Sequence, residues 1–128
     1  MITNKITQLL LPILASLLLM TGCSETVKIQ LEPEVGAYIV TDSKTKISLT
    51  KTDPAHLELN SWLKENQTGW HNTSGRFAGG VYIKSGVNGI QVSGMEIIIY
   101  STAGSEPDAK FVRSVGKTEL PLVRAIGQ

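Results

Sequence analysis

Apolar and polar positions divide this chain into one continuous N-terminal apolar run and a longer tract of short, mostly alternating segments. From about Ile6 to Met20 the run is interrupted chiefly by Gln8 and Pro12. Crossing hydrocarbon takes about 20 apolar residues, and this run reaches only about 15, so it predicts a signal-type helix rather than a span. After it, Val27-Lys28-Ile29-Gln30-Leu31 alternates with period two, the signature of a half-buried strand. Pro33 and Gly36 break that pattern before Ala37–Thr41, a second strand candidate. Asp42-Ser43-Lys44 reads as a turn into Ile47-Ser48-Leu49-Thr50, and the three segments together predict a meander.

The period then changes. Asp53-Pro54 is a helix start, with Asp53 as the expected side-chain cap and Pro54 pre-set at the first helical position. Ala55, Leu59, Trp62 and Leu63 fall on one stripe at 100° per residue, which predicts an amphipathic helix over about 54–66. Leu57 lies off that stripe, and Gln67-Thr68-Gly69 ends the helix. Val81-Tyr82-Ile83 and Ile90-Gln91-Val92, joined by Gly86-Val87-Asn88-Gly89, predict a hairpin. Met95 to Tyr100 is apolar on both faces, as a central strand covered on each side should be. Weaker strands are expected at Phe111–Arg113 and from Leu120 to Ala125. The fold class expected is α+β: a small antiparallel sheet or meander packed by one amphipathic helix, following a cleaved N-terminal signal helix.

The apolar run closes on Met20-Thr21-Gly22-Cys23, and Cys23 is the only cysteine in the chain. With Lys5 as a positive start, these residues have the three parts of a secretory signal. The final four resemble the lipobox of bacterial lipoproteins, with Met20 where leucine is usual. The resemblance covers the signal only. It implies cleavage between Gly22 and Cys23, a diacylglyceryl group on the Cys23 thiol and acylation, typically by palmitate, of the new amine. Ser24, second in the mature chain, resembles the outer-membrane default of Gram-negative sorting. A lone cysteine in an exported protein has no internal disulfide partner, and lipidation accounts for its presence. The organisation expected is therefore a signal peptide at 1–22, a lipidated cysteine and tether at 23–26, and one domain at 27–128.

Removing 22 of the 128 residues leaves 106, enough for one modest core. The whole chain has 12 Lys and Arg against 11 Asp and Glu, and Lys5 is the only charge in the signal, so the mature side chains balance. Without a basic excess or a charge run there is no electrostatic footprint for nucleic acid or for anionic lipid. The lipid, not charge, would hold the protein to a membrane.

The residues offer little catalytic chemistry. His56-Leu57-Glu58 matches half of a zinc-deaminase signature, which also needs a later cysteine pair that the chain lacks. His56, beside the apolar stripe, is expected at the surface. Gly116-Lys117-Thr118 resembles the end of a phosphate loop, but Phe111 stands where that loop requires glycine. No pattern for a metal site is present, and no cofactor is expected.

What remains is the polar, glycine-containing stretch from Trp70 to Gly80. Trp70, His71, Asn72, Arg76 and Phe77 form a candidate binding surface for a protein or glycan, since tryptophan and arginine are typical interface anchors. The competing reading sends Trp62 and Trp70 into the core. Three functions stay open: a non-catalytic envelope lipoprotein that binds an envelope protein, a periplasmic inhibitor or immunity-type lipoprotein, and a small glycan-acting enzyme. The last requires His71 in a cleft beside a carboxylate.

Overall fold

A computed structural model describes residues 24–104 and 106–128. The expected signal helix at 1–22 and the lipidated Cys23 lie outside the described residues. Within them the domain is mostly β, with seven strands in one antiparallel sheet and two helices. The elements run β1 (Glu34–Ile39), β2 (Asp42–Thr50), α1 (Pro54–Glu65), β3 (His71–Asn72), β4 (Val81–Ser85), β5 (Asn88–Ser93), β6 (Glu96–Ser101), β7 (Asp108–Ser114) and α2 (Pro121–Ala125).

Strand order across the sheet is β2-β1-β4-β5-β6-β7-β3. From β4 to β7 the chain is a plain meander, and it grows outward from β1. The β4–β5 and β5–β6 turns are two-residue loops, Gly86-Val87 and Gly94-Met95, each entered by a glycine at φ +58°. Positive φ at the first central position suits the right-handed twist of a tight hairpin. The exception to the meander is β3. It follows α1 in the chain yet pairs with β7 at the far edge, His71 opposite Val112 and Asn72 opposite Phe111.

Alternation sorts the strands into two faces. One face carries Val35, Ala37, Val81, Ile83, Ile90, Val92, Ile97 and Ile99, all buried. The same apolar cluster takes in Leu59, Trp62 and Leu63 of α1, Val123 of α2, and Val27 and Leu31 of the N-terminal segment. On the opposite face Ile98, Tyr100 and Ala109 make a smaller cluster, with Phe77, Tyr82 and Val112 packed against it. Ile97 to Tyr100 is therefore buried on both sides, as its unbroken apolar run implied.

Several expectations are corrected. Val27–Leu31 forms no strand: the Val27 amide donates to Gln67 O (2.7 Å) and the Leu31 amide to Asn60 Oδ1 (3.0 Å). Its period-two pattern comes from lying against the helix-side core with Val27 and Leu31 inward. The expected three-segment meander is thus a two-strand hairpin, β1 with β2. Gly36 does not break a strand but sits inside β1, where a Cβ would press on Lys46 and Tyr38. Leu120–Ala125 is helical from Pro121 onward, and the Glu58 carboxylate accepts the amides of Leu122 (3.0 Å) and Val123 (3.1 Å) at its start. Asp53 does not cap α1 with its side chain. Its Oδ2 accepts the Thr50 amide at 2.6 Å instead, closing the turn from β2. His56 is buried rather than at the surface, with Nε2 2.7 Å from Glu32 O.

Candidate functional site

The chain leaves β3 at one edge of the sheet and must return to β4, four places away in the strand order. It does so as a strap over residues 73–80, crossing the face that carries Ile98 and Tyr100. Three strand side chains hold it there. Gln91, buried in β5, donates from Nε2 to the carbonyls of Phe77 (2.9 Å) and Gly79 (2.7 Å). The Tyr100 hydroxyl donates to Gln91 Oε1 at 2.5 Å and accepts the Phe77 amide at 3.4 Å. Ser93 Oγ adds a bond to Ala78 O at 2.5 Å. Burial raises the pKa of Tyr100, opposed by the Phe77 amide and by Arg76. Gly79 and Gly80 end the strap, both at φ +80°, and a Cβ at Gly80 would collide with the Val92 carbonyl.

The five residues singled out from the sequence do not converge. Trp70 is fully buried in the helix-side core, so it takes the core reading and presents no surface. Its Nε1–H donates to Asn66 O at 2.7 Å, and its ring stands edge-on to Trp62 with centroids 6.1 Å apart. The Arg113 guanidinium lies 5.4 Å from the Trp62 ring centroid and donates to Thr68 O at 2.8 Å. His71 and Asn72 are exposed on β3. Among the described residues no carboxylate or hydrogen-bond partner meets the His71 side chain, so the paired histidine that a glycan-acting enzyme needs is not formed there. Arg76 pairs with Glu106 at 2.7 Å, joining the strap to the β6–β7 loop, but both side chains are about three-quarters exposed. Such pairs contribute about 0–1 kcal/mol. Phe77 faces inward and pins the strap to the smaller cluster.

Beyond the strap, the same face is paved with tyrosine. All three tyrosines of the chain lie on it: Tyr38 and Tyr82 with centroids 6.5 Å apart, Tyr82 and Tyr100 with centroids 5.7 Å apart and rings edge to face. Tyr82 lies over Gly89, and among the described residues its buried hydroxyl has no partner. Burial raises its pKa, with Tyr100 and Tyr38 adding to the effect. Lys46 and Ser48 of β2 and Lys84 of β4 border this row.

Among the described residues, three open clefts stand out on the surface. One of about 340 Å³ lies among Thr26, Ile29, Asn88, Ile99, Lys110 and Phe111. A second, of about 400 Å³, is bounded by Lys28, Asn60, Lys64 and Gln67. The third, of about 600 Å³, lies between the helices, where Glu58, Glu65 and Glu119 surround Trp62. Here Glu119 accepts Trp62 Nε1–H at 3.0 Å, which lowers its pKa, with the Gly116 amide as second cause. Among the described residues no group of His, Cys, Asp and Glu converges to hold a metal ion, and no helix is long and apolar enough to cross a membrane.

Sequence reasoning missed Gln91, Tyr100 and Ser93 as the strap's anchors. Gln91 alternates with Ile90 and Val92 as a solvent-facing residue would, and nothing local reveals the segment lying over it. The arrangement defines a class: a mostly β domain with one antiparallel sheet, two helices and a hydrogen-bonded strap. Comparison finds no protein-family model, no curated protein and no solved structure that matches this chain.

Proposed function

We propose that this chain is a lipid-anchored cell-envelope protein whose mature domain has a non-catalytic, protein-binding or accessory role. The observation that carries it is the apolar run ending in Met20-Thr21-Gly22-Cys23, with that cysteine the only one present. Cleavage before Cys23 and acylation would give two or three chains, and two anchoring signals hold stably where one is marginal. Ser24 favours the periplasmic face of the outer membrane if the source is Gram-negative.

The binding role is supported by the open outer edge of β2, nine residues long. An extended segment of a partner adds to such an edge through main-chain hydrogen bonds. In this reading α1 is the packing centre: Leu59, Trp62 and Leu63 share one buried cluster with Ile97 and Ile99, leaving β2 and the tyrosine row for contact.

The test is maturation and capture together. Cys23→Ala should accumulate as unlipidated precursor, whereas normal maturation with unchanged membrane fractionation would refute the anchor. Affinity capture of the lipidated protein from envelope extract should retain an envelope protein in stoichiometric amount. Turnover of a glycan substrate by the purified domain would overturn the non-catalytic role.

A further inference from the structure

Among the described residues, the first backbone group that the fold holds is Glu25. Its amide donates to the Trp70 carbonyl at 2.6 Å, and its carbonyl accepts the Trp70 amide at 3.3 Å. Trp70 is itself fully buried and bonded through its indole, so this clamp closes on one of the most firmly seated residues in the domain. The chain is thus fixed two residues earlier than the Val27 start expected from the sequence. Only Ser24 separates the clamp from Cys23.

Two residue steps reach about 7 Å at full extension. The headgroup region on each side of a bilayer is about 5–7 Å deep, the difference between the whole bilayer and its hydrocarbon core. With the acyl chains in hydrocarbon, the tether spans the headgroups and nothing more. Glu25 then lies at their outer boundary. Where Glu25 sits in the sheet therefore decides which side of the domain meets lipid.

It sits on the outer edge of β3. The Glu25–Trp70 bridge is antiparallel, which directs Ser24 past His71 along that edge, while the inner side of β3 is bonded to β7. Exposed side chains here are polar: His71, Asn72, Ser74 and Lys110. The large exposed apolar residues, Ile47, Leu57, Val87, Met95 and Leu122, belong to other segments. A polar rim suits the headgroup layer, whereas insertion into the acyl region needs exposed apolar side chains.

Resting on the lipid anchor at Cys23, we propose that the β3 edge, with His71, Asn72 and Lys110, is the surface this protein lays against phospholipid headgroups. The sheet stands on that edge. β2, six strand spacings of about 4.8 Å away, is held about 29 Å from it on the aqueous side. Orientation comes from the length of the tether and not from net charge, so it persists at high salt.

The lipidated protein, with its one native thiol consumed, accepts a fluorophore at a single new cysteine. Asn72→Cys on β3 and Ser48→Cys on β2 both replace exposed side chains. In vesicles of phosphatidylcholine and phosphatidylglycerol doped with a headgroup-attached nitroxide, the label at 72 should be quenched several-fold more than the label at 48. A Gly/Ser insert of about ten residues between Ser24 and Glu25, with a mean span of about 17–19 Å, should bring the two together. Equal quenching with the native tether, or stronger quenching at 48, overturns the orientation. Mass and vesicle co-sedimentation, read on the same samples, separate the two claims: an unlipidated protein that does not sediment overturns the anchor and the orientation with it. A lipidated protein that sediments with equal quenching overturns the orientation alone.

Discussion

The ring of Tyr82 covers Gly89 so closely that a Cβ at position 89 would overlap the Tyr82 hydroxyl. The glycine is an empty place on the sheet that the tyrosine of the neighbouring strand fills. Gly89→Ala should therefore expel the ring and disturb its edge-to-face contact with Tyr100, costing about 1–3 kcal/mol as overpacking does. Tyr82→Phe should be neutral or slightly stabilising, because the hydroxyl it removes is buried without a partner among the described residues. Urea unfolding of the two variants checks both, and an unperturbed Gly89→Ala protein would refute the close packing.

Gln91 should govern the strap independently of the helix layer. Gln91→Leu leaves the Phe77 and Gly79 carbonyls without their shared donor and strands the Tyr100 hydroxyl, at a cost of about 1–3 kcal/mol per unsatisfied buried group. Amide exchange should accelerate over residues 77–80 while α1 amides keep their protection. Uniform acceleration across the domain would mean that the strap is not a separable unit.

Trp62 and Trp70 should each cost about 3–5 kcal/mol when replaced by alanine, the range for deleting a buried aromatic. Because the rings touch, the double variant should fall short of the sum of the singles. A Trp70→Ala protein with unchanged melting temperature would restore that residue to the surface role first considered for it.

Glu119 gives a pH dependence of known sign. Its folded pKa lies below the ordinary glutamate value, first because of the Trp62 indole and next because of the Gly116 amide. Its contribution is therefore full above the ordinary value and is lost as pH falls through the depressed one. The side chain is exposed, so the effect is small. Comparing melting curves from near-neutral to strongly acidic pH, Glu119→Gln should lose less stability on acidification than the parent protein. An identical acid loss in both would rule the interaction out.

What could be read from residues alone follows locality. Ile97 to Tyr100 announces burial on both faces because four consecutive apolar side chains admit no wet side, and Asp53-Pro54 with its 3.6-residue stripe announces α1. The two hairpin glycines mark turns whose geometry is settled within a few residues. Val27–Leu31 misleads because alternation reports which side chains are inward and not which backbone supplies the hydrogen bonds. Gln91 misleads for a related reason: its cover, residues 77–79, comes from a segment more than ten residues away. The split of Trp70 from His71, Asn72, Arg76 and Phe77 needed the sheet itself, since Trp70 lies on the helix side while the strap leaves toward the other.

The placement of β3 at the far edge has a kinetic consequence. A chain delivered from its N-terminus presents Glu25 and Trp70 early, but Val112, the ladder partner of His71, arrives near the end. Loop-closure entropy makes such distant pairings slow relative to hairpins. The β4–β7 meander can zip through its tight turns as it emerges, whereas the edge that seats Glu25 has no strand to join until β7 is complete. A chain cut short before β7 would keep most of its hairpins and the bonds of Val27 and Leu31 to Gln67 and Asn60, but would lose the strand that seats β3 beside Glu25.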